Sequence, residues 1–233
     1  MSKSPGSKSP GGGGRRLKTR VKTAKGRKIS STRWLKRQLN DPYVAEAGKR
    51  GLRSRAAFKL MELDARFHFL KPGARVVDLG AAPGGWTQVA AERVKAGDGE
   101  GRVIALDVSG MAPVKGARTL MRDFLDADVP DLIRQALEGP ADVVLSDMAA
   151  PATGHAATDH LRIMALSEAA FDFARETLAG GGAFVCKVLQ GGAEQRLLAK
   201  IKRLFKTVRH AKPPASRADS AEVYLVATGF KGE

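Results

Sequence analysis

The stretch Arg75-Val76-Val77-Asp78-Leu79-Gly80-Ala81-Ala82-Pro83-Gly84-Gly85-Trp86 decides the fold. Its first five residues form an apolar run of strand length, and a glycine-rich turn leads into a helix over Trp86 to Lys95. A strand, a turn of this kind and a helix, in that order, form the opening unit of a parallel sheet. Upstream, Lys71-Pro72-Gly73 punctuates the chain, and Ser54 to Phe67 carries Ala57, Leu60, Met61 and Leu63 at helical spacing. Ser54 is the expected N-cap of that helix.

Downstream the alternation continues. The patterns predict strands over Val103 to Asp107, near Thr119 to Met121, over Asp142 to Ser146 and over Ala183 to Leu189. Helices fall between them at Pro130 to Leu137 and Asp159 to Leu178, the second closed by Gly180 to Gly182. A helix over Ala193 to Phe205 precedes two last strands, near Val208 and over Glu222 to Thr228, joined through Pro213-Pro214 as an edge hairpin. The expected architecture is α/β and Rossmann-like: a mostly parallel seven-stranded sheet with an antiparallel edge hairpin and helices on both faces.

Composition narrows the class. The 233 residues include 43% apolar side chains, enough for a core, and no apolar run approaches the roughly 18 residues of a membrane span. Cys186 is the single cysteine, which excludes an internal disulfide and a cysteine-based zinc cluster and suits a reducing cytosol. With four scattered histidines, no dedicated metal site is expected. The formal charge is +16, and residues 1–37 hold thirteen Lys or Arg and no acid. The 27 bases and 24 acids of residues 38–233 nearly cancel. Residues 1–30 therefore read as a disordered, basic, Gly/Ser/Pro-rich tail suited to RNA phosphates, and residues 31–233 as one domain.

Ligands of such sheets bind at the carboxyl ends of the strands. There the glycine turn lacks the Gly-x-Gly-x-x-Gly spacing of dinucleotide sites, and Pro83 removes an N–H that a pyrophosphate would use. A nucleoside without phosphates fits better. Asp107 ends the second strand, where a carboxylate grips ribose hydroxyls, and Asp123 follows the third, placed for an adenine amino group. Loop and aspartates together indicate S-adenosylmethionine. Asp147, after the fourth strand, and Lys187, inside the apolar strand Phe184-Val185-Cys186-Lys187, form a second constellation with Lys59 and Glu222. A lysine is costly to bury as a charge and is rarely a packing choice. Asp147 and Glu222 would raise the pKa of its amine, while burial and Lys59 would lower it.

The motifs Asp78–Trp86, Ser146-Asp147-Met148-Ala149, Phe184-Val185-Cys186-Lys187-Val188-Leu189-Gln190-Gly191 and Ser220-Ala221-Glu222-Val223-Tyr224 resemble those of the FtsJ/RrmJ-type RNA 2′-O-methyltransferases. The resemblance spans about residues 31 to 231 and includes Ser54–Leu60, Ser216-Arg217 and Ala227-Thr228-Gly229. It implies methyl transfer from S-adenosylmethionine to a ribose 2′-hydroxyl, most readily a uridine of 23S ribosomal RNA in the large subunit or its precursor, in the cytoplasm. It implies a catalytic tetrad of Lys59, Asp147, Lys187 and Glu222, with Lys187 as proton acceptor. The implied cofactor contacts are Gly84, Trp86, Asp107, Asp123 and Asp147. The chain departs from the bacterial pattern after Ala149, where Ala150-Pro151-Ala152-Thr153 stands in place of Pro-Asn.

Two other classes fit the fold: an RNA-binding or ribosome-assembly protein with an inactive methyltransferase domain, and an enzyme acting on an mRNA cap or transfer RNA. The intact tetrad argues against the first, and the short chain against the second. Lys49, Arg50, Arg53 and Arg55, just before Lys59, are placed to line an RNA groove. Arg196, Lys200 and Arg203 form the basic face of an amphipathic helix whose other face is Leu197, Leu198, Ile201 and Leu204. With 13 aromatics in the whole chain, shape and phosphate contacts should dominate over base stacking.

Overall fold

Val76, Val77 and Leu79 have no solvent exposure, because β1 (Arg75–Leu79) lies in the interior of a parallel sheet and is covered on both faces. In this computed structural model, β1 pairs with β2 (Arg102–Asp107) on one side and β4 (Ala141–Ser146) on the other. The structure describes residues 19, 29–151, 153–190 and 194–232. Nearly all of the predicted basic tail lies outside them.

The seven strands run β3-β2-β1-β4-β5-β7-β6, with β3 at Ala117–Met121, β5 at Leu178–Leu189, β6 at Phe205–Ala211 and β7 at Glu222–Phe230. All pairings are parallel except those of β7, which runs antiparallel between β5 and β6. The predicted edge hairpin is therefore present. Helices α3 (Ala56–Phe67), α4 (Gly85–Arg93), α5 (Val129–Leu137), α6 (Ala156–Thr177) and α7 (Glu194–Leu204) accompany the sheet.

The strands sort their side chains by parity into two cores. Val77, Leu79, Phe184, Cys186, Val188 and Leu225 join one core with Ile133, Phe171 and Ile201. Val76, Val143, Val185, Tyr224 and Val226 join the other with Leu60 and Leu63 of α3 and Trp86 and Val89 of α4. Lys187 and Tyr224, directly opposite in the β5–β7 register, thus share the face covered by α3.

Several predicted boundaries shift. The Gly180-Gly181-Gly182 run lies within β5, which begins at Leu178 and pairs with Ala141. A register irregularity between Ala141 and Val143 absorbs these glycines, and a Cβ on Gly182 would lie 2.9 Å from the Ala179 carbonyl. Ser54 does not cap α3: Arg55 takes that position, and the buried Ser54 Oγ has no hydrogen-bond partner. On α7, Leu197 and Ile201 are buried while Arg196, Lys200 and Arg203 are exposed, as an amphipathic helix requires. Before Ser54, where the residue pattern predicted no elements, helices α1 (Ile29–Leu39) and α2 (Pro42–Lys49) occur. The chain divides at Ala45/Glu46, within α2, into two units. In the first, the Asn40 side chain donates to the Lys36 carbonyl at 2.7 Å and closes α1. The second holds the sheet and all the candidate site residues.

Candidate active site

Strand order reverses at β1 and β4, so a crevice opens at their carboxyl ends. Gly80 turns the chain there at φ 77°, and a Cβ on it would lie 2.7 Å from the backbone of Met148 beyond β4. Only glycine allows this approach. The N–H groups of Gly80 and Ala81 both donate to the Leu106 carbonyl, at 2.9 and 3.1 Å. Asp107 then binds the two loops together: its Oδ2 accepts from Ala82 N at 3.0 Å and its Oδ1 from Ser109 N at 2.7 Å.

Beside it lies a cavity with Leu106, Phe124, Met148 and Leu166 as apolar wall and Asp107 and Asp123 at its polar side. Asp123 Oδ1 accepts from Leu125 N at 3.0 Å, which fixes the carboxylate. An apolar slot flanked by two fixed carboxylates suits a nucleoside, with hydroxyls and an exocyclic amine as donors. Two of the expected cofactor contacts, Gly84 and Trp86, do not line this cavity. Gly84 sits beneath Arg53 and Met111, outside this cavity. Trp86 is buried, donates through Nε1 to the Ala56 carbonyl at 2.9 Å and stacks at a tilt on Tyr224 with centroids 5.5 Å apart. Its ring is a wall of the α3-side core.

Asp78 is a residue the sequence reading passed over as strand. It is fully buried; Oδ2 accepts from Thr87 Oγ1 at 2.7 Å, while Oδ1 has no partner. Burial lifts its carboxyl from 3.8 to about 7, against the lowering effect of the Thr87 bond, and repulsion from Asp147 and Asp107 adds to the rise.

The second constellation assembles from four elements. Lys59 comes from α3, Asp147 from the exit of β4, Lys187 from β5 and Glu222 from the start of β7. Lys59 Nζ is 2.5 Å from Glu222 Oε1, and Lys187 Nζ is 3.2 Å from Asp147 Oδ1. Lys187 also donates to the Asp147 carbonyl at 2.7 Å. The lysines are only 8% and 7% exposed, so each charge is held by its carboxylate and not by water. Tyr224 connects the two pairs. Its hydroxyl accepts from Lys59 Nζ at 3.0 Å and lies 3.0 Å from Asp147 Oδ1 and 3.2 Å from Glu222 Oε1. Burial, and then the two carboxylates, push its phenol well above its usual range, so it remains a donor. The sequence signal for Tyr224 was its place two residues after Glu222, on the same face of one strand.

The loop before Glu222 is held by α3 as well. Glu62 accepts from Ala215 N at 2.7 Å, Arg55 donates to the Ala215 carbonyl, and Ser216 Oγ donates to Glu222 Oε1 at 3.3 Å. Arg55, Lys59 and Glu62 lie at i, i+4 and i+7, so a single helix face grips residues 215–222. Of the residues expected to line an RNA groove, Arg53 and Arg55 bond backbone carbonyls, and Arg50 pairs with Glu46 at 2.8 Å.

If Asp107 grips ribose hydroxyls, Asp107→Ala should weaken nucleoside binding by about 1.5–3 kcal/mol, the scale for hydrogen bonds to a charged group. Calorimetry with S-adenosylhomocysteine measures it, and unchanged affinity would place the ligand elsewhere.

A seven-stranded sheet with β7 inserted antiparallel, and a cavity bearing two carboxylates at its switch point, define the Rossmann-like methyltransferase class of α/β proteins. The FtsJ-like methyltransferase family model matches residues 52–230, and the chain belongs to that family. It is 64% identical over 225 residues to a Ribosomal RNA large subunit methyltransferase E of Paramagnetospirillum magneticum, covering 96% of this chain and 92% of that one. The protein of the same name in Rhodospirillum rubrum is 61% identical, with 94% and 84% covered. The crystal structure of a ribosomal RNA methyltransferase from Plasmodium falciparum superimposes with a TM-score of 0.66 at 31% identity, covering 78% of this chain and 100% of that one. No helix among the described residues is long and apolar enough to cross a membrane, and no group of His, Cys, Asp and Glu among them could hold a metal.

Proposed function

We propose that this methyltransferase uses S-adenosylmethionine to methylate a ribose 2′-hydroxyl of RNA, a uridine of 23S ribosomal RNA in the large subunit or its precursor, in the cytoplasm. The observation that carries the reading is the buried Lys59–Glu222 and Lys187–Asp147 network, joined through Tyr224, close to the Asp107–Asp123 cavity. The names of the relatives support ribosomal RNA as the substrate class.

S-adenosylmethionine supplies a methyl group already activated on a sulfonium. The chain's work is to hold the acceptor hydroxyl in line with that methyl and remove its proton. Asp107 and Asp123 are assigned to the ribose and adenine. Asp147 orients Lys187, and Lys187 Nζ, having given up its own proton to solvent, takes the hydroxyl proton as a neutral amine. Lys59 and Ser216 fix Glu222, whose carboxylate is assigned to the nucleotide. Alignment of two bound reactants supplies about 7–11 kcal/mol, and a positioned base roughly 10²–10⁴-fold more.

Mapping of 2′-O-methyl sites in RNA from cells lacking the protein should show one uridine of 23S RNA unmethylated, restored by the wild-type chain. Loss confined to transfer RNA or messenger RNA, or no loss, would reject the assignment.

Residues 1–30 are assigned the role of a basic arm that adds RNA affinity without chemistry. Single-stranded RNA gives a slope of log affinity against log salt of about −0.7 per phosphate neutralised. Deleting the arm should make that slope shallower by several units and leave the rate at saturating RNA unchanged. An unaltered slope would reduce the arm to a solubilising tail.

A further inference from the structure

Arg53 lies between α2 and α3, and its guanidinium is spent on main-chain carbonyls. Nη1 donates to Ala112 O and, at 3.4 Å, to Pro83 O, while Nη2 donates to Pro113 O. The root of the side chain is fixed as firmly as its tip. Arg53 N donates to Gln88 Oε1 at 2.9 Å, and Gln88 Nε2 donates to Gly51 O at 3.0 Å, which ties this segment to α4.

One side chain thus crosses from α4 over the glycine turn to the connection between β2 and β3. The crossing is close. A Cβ on Gly84 would lie 2.9 Å from Arg53 Nη1, 3.0 Å from its Cδ and 3.3 Å from Met111 Sδ. The β2–β3 connection is anchored at one end by Asp107, through Ser109 N and Ala82 N. At the other end a Cβ on Gly116 would meet Gly97 N at 2.3 Å, so these backbones are in contact. Arg53 holds the middle.

We propose that Arg53 is a positioning residue for the cofactor: it latches the β2–β3 connection onto the glycine turn and so holds Asp107 in place. The inference rests on the cofactor reading above. It also draws Arg53 away from an RNA groove, because three of its five N–H donors are taken by the Ala112, Pro83 and Pro113 carbonyls. A planar fork matches two successive carbonyls, whereas a lysine ammonium is a single point of charge and cannot span both.

The test compares Arg53→Ala and Arg53→Lys with the wild-type full chain. Amide hydrogen exchange over residues 108–116 is followed without ligand, and S-adenosylhomocysteine affinity by calorimetry. Both variants should exchange faster over this segment and bind about tenfold or more weakly, as loss of charge-assisted bonds implies. In turnover, the KM for the cofactor should rise by a larger factor than kcat falls. A lysine variant with wild-type exchange and affinity would overturn the latch, as would weaker RNA binding with unaltered affinity for S-adenosylhomocysteine. Should Arg53→Ala fail to fold, Arg53→Lys carries the comparison alone. If the wild-type chain itself does not bind S-adenosylhomocysteine, the cofactor reading fails and the proposed role of Arg53 with it. Wild-type binding with unaltered exchange in both variants sinks the latch alone.

Discussion

Replacing Lys187 with alanine should lower the single-turnover rate of methyl transfer by about 10²–10⁴-fold, the usual contribution of a positioned general base. Affinity for S-adenosylhomocysteine should be unchanged, because Lys187 is assigned to the acceptor and not to the cofactor. The fold should also survive. Asp147, which loses its ion pair, retains the Tyr224 hydroxyl at 3.0 Å, so its carboxylate is not left bare. Rapid-quench measurement with saturating RNA and cofactor reads the chemical step directly. A variant that keeps more than about a tenth of the wild-type rate would exclude a base at this position.

Stability should fall as pH rises from about 4 to about 7, because of Asp78. The unfolded chain releases this proton near 3.8, whereas burial keeps the folded carboxyl protonated up to about 7. Between these values the folded state holds more protons, so each increment of pH favours unfolding. Below the window the penalty is absent, and above it the full penalty applies. About three units at roughly 1.4 kcal/mol each gives a total on the order of 4 kcal/mol. Asp78→Asn cannot titrate. In denaturant unfolding followed across this range, the variant should gain on the wild type steadily up to about pH 7 and then keep a constant lead. A difference that does not change with pH would show that the carboxyl is ionised throughout.

The alternation of strands and helices could be read from the residues because buried parallel strands leave near-continuous apolar runs with glycine or proline at their ends. The runs at Val76, Ile104 and Val144 are all of this kind. Gly180–Gly182 misled the reading for a physical reason: glycines that look like a stop can be absorbed by an irregular strand pairing when the partner strand permits it. Ser54 misled it because a capping side chain is recognised by type alone, and here the chain enters α3 with the hydroxyl buried against the glycine turn.

Residue type singled out Lys187, a lysine in an apolar strand that is costly to bury, while Lys59, Asp147 and Glu222 were indicated by the family resemblance of the motifs that carry them. What brings them together is tertiary. Lys59 and Glu222 are 163 residues apart, and they meet because α3 covers the sheet face to which odd-numbered β5 and even-numbered β7 side chains project. A shift of one residue in that register would turn Lys187 and Tyr224 into the opposite core. The same holds for Arg53. By sequence it is one more base in a basic stretch, and its neighbours in space are carbonyls about sixty residues away. Local pattern is written in the chain because it depends on near neighbours. The partners of a side chain depend on how distant segments pack, and there only the tertiary structure decides.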